Sequence, residues 1–334
     1  MDSASQPLTI AVLGATGNQG RGVIRALLAK SSPLFHIRGI TRDPNSPAAR
    51  HLIQELSHND RLQLVTADVY DPSSLDRAFA GVHGVFAMIE DGSPKRKIEF
   101  EDHLKHVLKA GRNILDAAKS CRVQHLVFSS LPNLTSASNS SLTKVFHFDY
   151  KHEVAQWMLD ELPDTTTILY PAYFFTNLFW QQYCRREADG TVRFCSPVPG
   201  DTWADWVDPG YDIGIFAAEV FALGPQKTKT KVYPIVGRKI RFDEMAKVFE
   251  RVTGQKAVFE PTTLDEWGAV VSAGMGKGFE EDARQMMEWT AVAPREKICY
   301  GTMDPAEDTS WEDLGVKVSS FEEWIRRSGW SGPK

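Results

Sequence analysis

The first residues whose spacing carries chemistry are Gly14-Ala15-Thr16-Gly17-Asn18-Gln19-Gly20, which follow the apolar run Leu8–Leu13 and open an amphipathic stretch. Three glycines so spaced between a strand and a helix form a loop that cradles a pyrophosphate. The first permits a tight turn, the second lets backbone approach the anion, and the third brings helix and strand close. The helix N-terminus adds unpaired N–H groups and a partial positive charge. Gly14, Thr16, Gly17, Asn18, Gln19 and Gly20 are therefore expected to bind a dinucleotide. The end of the next strand selects which one, because an acid there holds a ribose 2′-hydroxyl and a base holds a 2′-phosphate. Here the strand closes on Thr41-Arg42, with Arg42 twenty-two residues beyond Gly20, and an arginine fork suits a phosphate. NADP is the expected cofactor, with Asp43 the carboxylate that would instead serve the ribose of NAD. Asp68, after the third strand, is expected at the adenine, and Ala87 and Met88, ending the fourth, along the cofactor.

Such a loop works only on a scaffold that aims it. From Leu8 to Pro171 short apolar runs alternate with longer amphipathic ones. Leu8–Leu13, Leu34–Ile40, Leu62–Thr66, Gly84–Met88, His125–Ser129 and Thr166–Tyr170 read as buried parallel strands. Gln19–Lys30, Pro47–Leu56, Ser73–Ala80 and Lys97–Ser120 read as the helices between them. This rhythm predicts an α/β fold, a doubly wound parallel (Rossmann) sheet with ligands off the carboxyl ends of its strands. After Pro171 aromatic density rises, and Pro197, Pro199, Gly200, Pro209 and Gly210 punctuate a loop-rich stretch. Helices at Tyr211–Leu223 and Arg241–Thr253 and a strand at Lys231–Val236 would return the chain to the sheet. The expected division is 1–172 as the nucleotide-binding domain with a return near 210–237. Residues 173–209 and 238–334 would form a smaller, interleaved, mainly helical substrate-binding subdomain. The Ser/Thr-rich segment Asn133–Thr143 reads as a mobile loop.

Across 334 residues, 38 Lys and Arg face 43 Asp and Glu, a formal charge of −5, with 42% hydrophobic residues. That composition closes a core and rules out disorder. The acidic balance argues against nucleic acid, whose phosphates call for clustered basic residues. No apolar run approaches the ~18 residues of a membrane helix, and Met1–Pro7 lacks the basic start and apolar stretch of a secretion signal. A cytoplasmic protein with a small-molecule partner, and no membrane or nucleic-acid partner, is the expectation. Cys121, Cys184, Cys195 and Cys299 show no metal-ligand spacing, and no metal is expected.

GATGNQG at Gly14–Gly20, Thr41-Arg42-Asp43, Ala67-Asp68, Lys151-His152-Glu153 at a helix start and Pro171-Ala172-Tyr173-Phe174-Phe175-Thr176-Asn177 together resemble the NmrA-like family of atypical short-chain dehydrogenase/reductases. The resemblance runs to about Gly254. It implies either an NADPH-using reductase or a redox sensor that binds dinucleotide and regulates a protein partner, and fold alone does not separate these. The residues favour an oxidoreductase acting on a carbonyl or conjugated double bond of a small aromatic or polyketide-like molecule. A cofactor-dependent isomerase or cyclase is a further alternative.

Ordinary members of that superfamily pair a serine with Tyr-x-x-x-Lys, in which the lysine lowers the tyrosine pKa so that the phenol can pass a proton. The resemblance makes Lys151 that lysine, in contact with the nicotinamide ribose, but four residues before it stands His147 rather than tyrosine. His147, Tyr150 and Tyr173 are the candidate proton donors, histidine because it titrates near neutrality. Ser129 and Ser130, ending the fifth strand, stand where the reductase serine orients a carbonyl. Tyr170-Pro171-Ala172 replaces the Arg-Pro-Gly of many relatives. With Tyr173, Phe174, Phe175, Phe179, Trp180, Tyr183, Trp203 and Trp206, Tyr170 offers aromatic surface from which two or three side chains are expected to meet a flat ligand.

Overall fold

The computed structural model describes residues 7–56, 59–92 and 97–334; Met1–Gln6, part of the stretch read for a secretion signal, lie outside the described residues. The first half of the chain runs β1 (Leu8–Val12), α1 (Asn18–Ala29), β2 (Phe35–Thr41), α2 (Pro47–Glu55), β3 (Leu62–Thr66), α3 (Pro72–Phe79), β4 (Gly84–Met88), α4 (His106–Ser120), β5 (His125–Ser129), α5 (Phe146–Glu161) and β6 (Thr166–Pro171). Then come β7 (Cys184–Arg186), β8 (Val192–Ser196), α6 (Asp212–Leu223), β9 (Val232–Ile235), α7 (Phe242–Thr253), β10 (Ala257–Pro261), α8 (Leu264–Met275), α9 (Glu280–Val292) and α10 (Phe321–Ser328).

Seven strands form one sheet in the order β9-β6-β5-β4-β1-β2-β3, every pair parallel. Strand alternation divides its side chains between two cores. Ile10 and Val12 pack with Val23, Ile24 and Leu27 of α1 and Phe216 and Phe221 of α6. Ala11 and Leu13 face the other way, with Leu75, Ile114, Leu115 and Met158 from α3, α4 and α5. Burial on both faces explains the unbroken apolar runs in the sequence. Ser46 caps α2 and Asp71 caps α3, each followed by proline. α1 differs: its N-cap is Gly17, with no side-chain cap and no acid in the first turn.

A third core lies in the C-terminal part, where Phe194, Trp206, Phe249, Trp267 and Trp324 cluster. β7 and β8 pair antiparallel there and β10 joins β8 in parallel, so a small sheet accompanies the helices.

Three local expectations change. Asn133–Thr143 is fixed rather than mobile: Asn133 Oδ1 accepts from the Ser136 N–H at 2.6 Å, capping a short helix at Leu134–Ala137. The Asp149 carboxylate receives the Leu134 N–H at 2.8 Å and the Thr135 hydroxyl at 2.5 Å. Side-chain oxygens satisfy this backbone locally, a job for which a Ser/Thr-rich segment is well suited. The helix carrying Lys151 starts at Phe146, five residues earlier than expected, because Phe148 buries in the third core. α4 begins only at His106, behind a single 3₁₀ turn at Glu101–Lys105.

Candidate functional site

β1 lies between β2 and β4, where the chain switches direction across the sheet, and the glycine turn leaves the carboxyl end of β1 at that point. Gly14 has φ of +66°, a backbone that favours glycine. The Gly17 N–H closes the turn on the Gly14 carbonyl at 2.8 Å. A Cβ on Gly20 would lie 2.2 Å from that same carbonyl oxygen, so only glycine lets α1 lie this close. With Gly17 exposed and α1 uncapped, the first-turn N–H groups are presented outward, an arrangement that suits an anion.

A groove of about 290 Å³ runs from this turn, lined by Gly14, Thr16, Gly17, Arg42, Asp68 and Met88 among others. Arg42 is half exposed and its Nη2 lies 3.8 Å from Glu90 Oε2. Asp68 Oδ1 accepts from the Tyr70 N–H at 3.0 Å, and Asp43 Oδ1 is turned back onto the Asn45 N–H at 2.8 Å. Ala87 departs from expectation. It is fully buried in the core shared with α3 and α4, because adjacent strand residues point to opposite faces and Met88 takes the groove side.

The groove adjoins a cavity of about 550 Å³ that has Gly14, Gly17, Asn18, Gln19 and Gly20 at one end and Ser129, His147, Lys151 and Tyr173 on its walls. His147 and Lys151 are four residues apart on α5 and so share a face. Lys151 is 8% exposed, and its Nζ forms a close ion pair with the carboxylate of Asp91, just beyond β4. Burial pushes the Asp91 carboxyl up, but the Lys151 charge and hydrogen bond, together with the charges of His147 and His106, outweigh it and hold the group below its usual range. Asp91 is itself steadied by His106, whose Nε2 lies 3.0 Å from the Asp91 carbonyl while Nδ1 meets the Tyr70 hydroxyl at 2.7 Å. A carbonyl only accepts, so Nε2 carries the proton and Tyr70 donates to Nδ1.

His147 is held from the far side of the cavity. Its Nδ1 bonds Asp282 Oδ1, and Asp282 Oδ2 accepts the His147 backbone N–H at 2.9 Å. Asp282, on α9, has no exposed surface. Burial alone would favour neutral imidazole, yet the Asp282 charge and bond outweigh it and raise the His147 pKa. With Nδ1 engaged, Nε2 is the nitrogen available at the cavity wall.

Hydrogen-bond accounting separates the remaining candidates. Ser129 lines the cavity. The Ser130 hydroxyl is already donated to the Lys151 carbonyl at 2.8 Å. Tyr150 points elsewhere on α5, stacked on Phe146 with ring centroids 5.5 Å apart. Tyr173 lines the cavity, but the single proton of Thr290 goes to the Met286 carbonyl at 2.8 Å, so the 2.6 Å contact between Tyr173 and Thr290 is a bond that Tyr173 donates. Burial also raises the Tyr173 pKa. Of the nine aromatic residues, Tyr173, Phe174, Trp180 and Tyr183 line the cavity. Phe175 and Trp206 are core, Phe179 lies on Trp324 and Trp330, Trp203 lines a separate small pocket, and the Tyr170 hydroxyl lies 3.1 Å from His152 Nδ1.

Sequence reasoning missed Asp91, Asp282 and the C-terminal wall of Trp267, Met275, Phe279, Met286 and Tyr300. Asp91 carried one usable signal, a carboxylate just past the carboxyl end of a strand. Asp282 carried none. Among the described residues no cluster of three or more His, Cys, Asp or Glu could hold a metal, and no helix is long and apolar enough to cross a membrane.

The chain is 27% identical to the NmrA-like family domain-containing oxidoreductase malD of Malbranchea aurantiaca, covering 98% of each protein. It is 30% identical to the oxidoreductase FrzB of Cladobotryum sp, also an NmrA-like family domain-containing protein, over 91% of this chain and 89% of that one. Among solved structures it shares its fold with NmrA, a negative transcriptional regulator (TM-score 0.74, 19% identity, 96% of this chain and 95% of that one). The triphenylmethane reductase of Citrobacter sp., complexed with NADP(H), superposes with a TM-score of 0.66 at 21% identity, over 96% of this chain and all of that one. The NADPH-dependent quinone oxidoreductase of Escherichia coli does so at 0.67 and 19%, with the same coverage. The family model matches residues 6–325, nearly the whole length, and the chain belongs to the NmrA-like family.

Proposed function

We propose that the protein is an NADP(H)-dependent oxidoreductase that reduces a carbonyl or conjugated double bond of a small, flat, aromatic or polyketide-like molecule. The observation that carries this reading is the shared cavity, in which the glycine turn and the pair Lys151 and His147 face one space. Relatives named as oxidoreductases and fold neighbours solved with NADP(H) or NADPH support it.

The residues fit the cofactor: an uncapped helix start, a glycine turn without side chains in the way, and a half-exposed arginine along the groove. The turn would hold the pyrophosphate, Arg42 the 2′-phosphate, Asp68 the adenine end and Lys151 the nicotinamide ribose. On this reading residues 1–172 with 210–237 bind the nucleotide, and 173–209 with 238–334 shape the substrate end. When bound, the cofactor supplies the hydride. Ser129 orients the substrate oxygen with its hydroxyl. His147, which the Asp282 charge helps to hold its proton, delivers it from Nε2 and is left as neutral imidazole with its Nδ1–H still on the carboxylate. Apolar walls exclude water around this transfer, which strengthens the charges within.

The test is NADPH oxidation, followed by absorbance, against quinones, aldehydes, aromatic ketones and enones. Turnover is expected, and Lys151→Ala should lower kcat by roughly 100-fold or more while NADPH binding changes only a few-fold, because its contribution is greatest in the transition state. Tight NADPH binding with no oxidation across the panel, and recovery of a protein partner whose binding depends on the dinucleotide, would replace the reductase with a regulator.

A further inference from the structure

Three phenols stand on the cavity wall. Tyr173 gives its proton to Thr290, and Tyr183 is met by the Asn177 side chain. Tyr300 differs: its backbone carbonyl accepts the Trp289 indole N–H at 2.7 Å, while its hydroxyl has no partner among the described residues. Burial, with Tyr173 close by, pushes its ionisation well above the ordinary tyrosine range, so this hydroxyl stays a donor.

The backbone beneath Tyr300 is unusual. Cys299, Tyr300 and Gly301 have consecutive φ values of +52°, +60° and +74°. Left-handed backbone is unfavourable for residues with a Cβ and persists where its surroundings over-determine it. Here the Thr302 N–H and hydroxyl both donate to the Cys299 carbonyl, at 3.2 and 2.6 Å, and Ile298 bridges Met303. The turn wedges the Tyr300 ring edge-on between Phe148 and Tyr173, with centroids 4.8 and 4.9 Å away. A rigid ring with an unspent donor therefore faces a cavity whose other walls include Phe174, Trp180, Trp267, Phe279 and Met286. Apolar pockets of this kind orient ligands through a few placed polar groups.

We propose that Tyr300 anchors the substrate, its hydroxyl donating a hydrogen bond to an acceptor oxygen on a flat, apolar ring system. The inference rests on the reading of this cavity as the reaction chamber. A donor left unpaired in an apolar site discriminates against ligands that lack the acceptor, so Tyr300 sets specificity as well as position.

The experiment compares 2-acetylnaphthalene with 2-ethylnaphthalene, similar in size but differing in the carbonyl, on wild-type and Tyr300→Phe protein saturated with NADP⁺. Dissociation constants are read from quenching of tryptophan fluorescence. Wild type should hold the ketone more tightly, and Tyr300→Phe should weaken the ketone by roughly 3- to 10-fold while leaving the hydrocarbon unchanged, since only a hydroxyl is lost. Unchanged hydrocarbon binding also certifies that the variant is folded. Equal losses for both ligands, no loss for the ketone, or a wild type that does not distinguish the two would overturn the proposal. The expected pattern together with no NADPH oxidation by any carbonyl compound would uphold the anchor and remove the reductase reading.

Discussion

His147 Nδ1 and Asp282 Oδ1 meet across 135 residues of sequence, one on α5 of the sheet layer and the other on α9 of the C-terminal part. Because the Asp282 charge raises the His147 pKa, a His147 acting as the acid keeps its proton to higher pH than a free imidazole, and activity should fall as pH rises through that raised value. Asp282→Asn keeps the shape and an acceptor oxygen but removes the charge. We expect the alkaline fall to move to lower pH and kcat to drop by about 100-fold. A pH–rate profile unmoved in the variant would reduce Asp282 to a packing role.

Arg42 is the only basic side chain among the residues lining the groove in the described structure, and it shares its position with Glu90. Arg42→Ala should weaken NADP⁺ by roughly 10- to 150-fold and barely affect NAD⁺, as loss of a charge-assisted contact predicts. Glu90→Gln should shift NADP⁺ affinity the opposite way, because a competing anion is removed. Calorimetry on both cofactors decides, and equal losses for the two in Arg42→Ala would contradict the assignment.

Tyr173→Phe should cost stability rather than rate. The phenol proton is engaged by Thr290, so its removal should lower unfolding free energy by about 1 kcal/mol and change kcat only a few-fold. A loss of kcat near 100-fold, with the pH profile altered, would restore Tyr173 as the proton donor and displace His147.

Asp205 gives a pH signature in stability. It is 4% exposed, its Oδ1 has no partner, and burial raises its pKa to about 6, the Lys239 charge offsetting only part. The folded protein therefore binds this proton more tightly than the unfolded chain, whose aspartate titrates near ~4. The resulting penalty is absent below about pH 4, grows as pH rises, and is complete above about pH 6. Asp205→Asn should stabilise the protein by up to about 3 kcal/mol at pH 8, with the gain vanishing toward pH 4. Denaturant unfolding at the two pH values checks this, and a gain independent of pH would rule out the titration.

The sheet and the glycine turn were legible because their signals are local. Gly84–Met88 and His125–Ser129 form strands with the expected bounds, since burial on both faces writes an apolar run directly into the chain. Gly14, Gly17 and Gly20 answer to steric demands set within seven residues, and the 2.2 Å approach at Gly20 is such a demand. Ala87 and Met88 show the limit of this reading: neighbours in one strand, they differ in face, and only the sheet's packing says which one is turned to the groove.

The surroundings of the proposed catalytic residues were decided by tertiary structure. His147 and Lys151 could be singled out by spacing, but the carboxylates that pair with them, Asp282 and Asp91, reach them from other elements. No local pattern announces such partners, because a carboxylate's pull on a buried ring falls with distance in space and is indifferent to distance along the chain. The same holds for the hydroxyls of Tyr173 and Tyr300, whose partners no local pattern announces. Both line the cavity, but Tyr173 spends its proton on Thr290 while Tyr300, on a left-handed turn, keeps its own, and that difference exists only once the C-terminal helices have packed against the sheet.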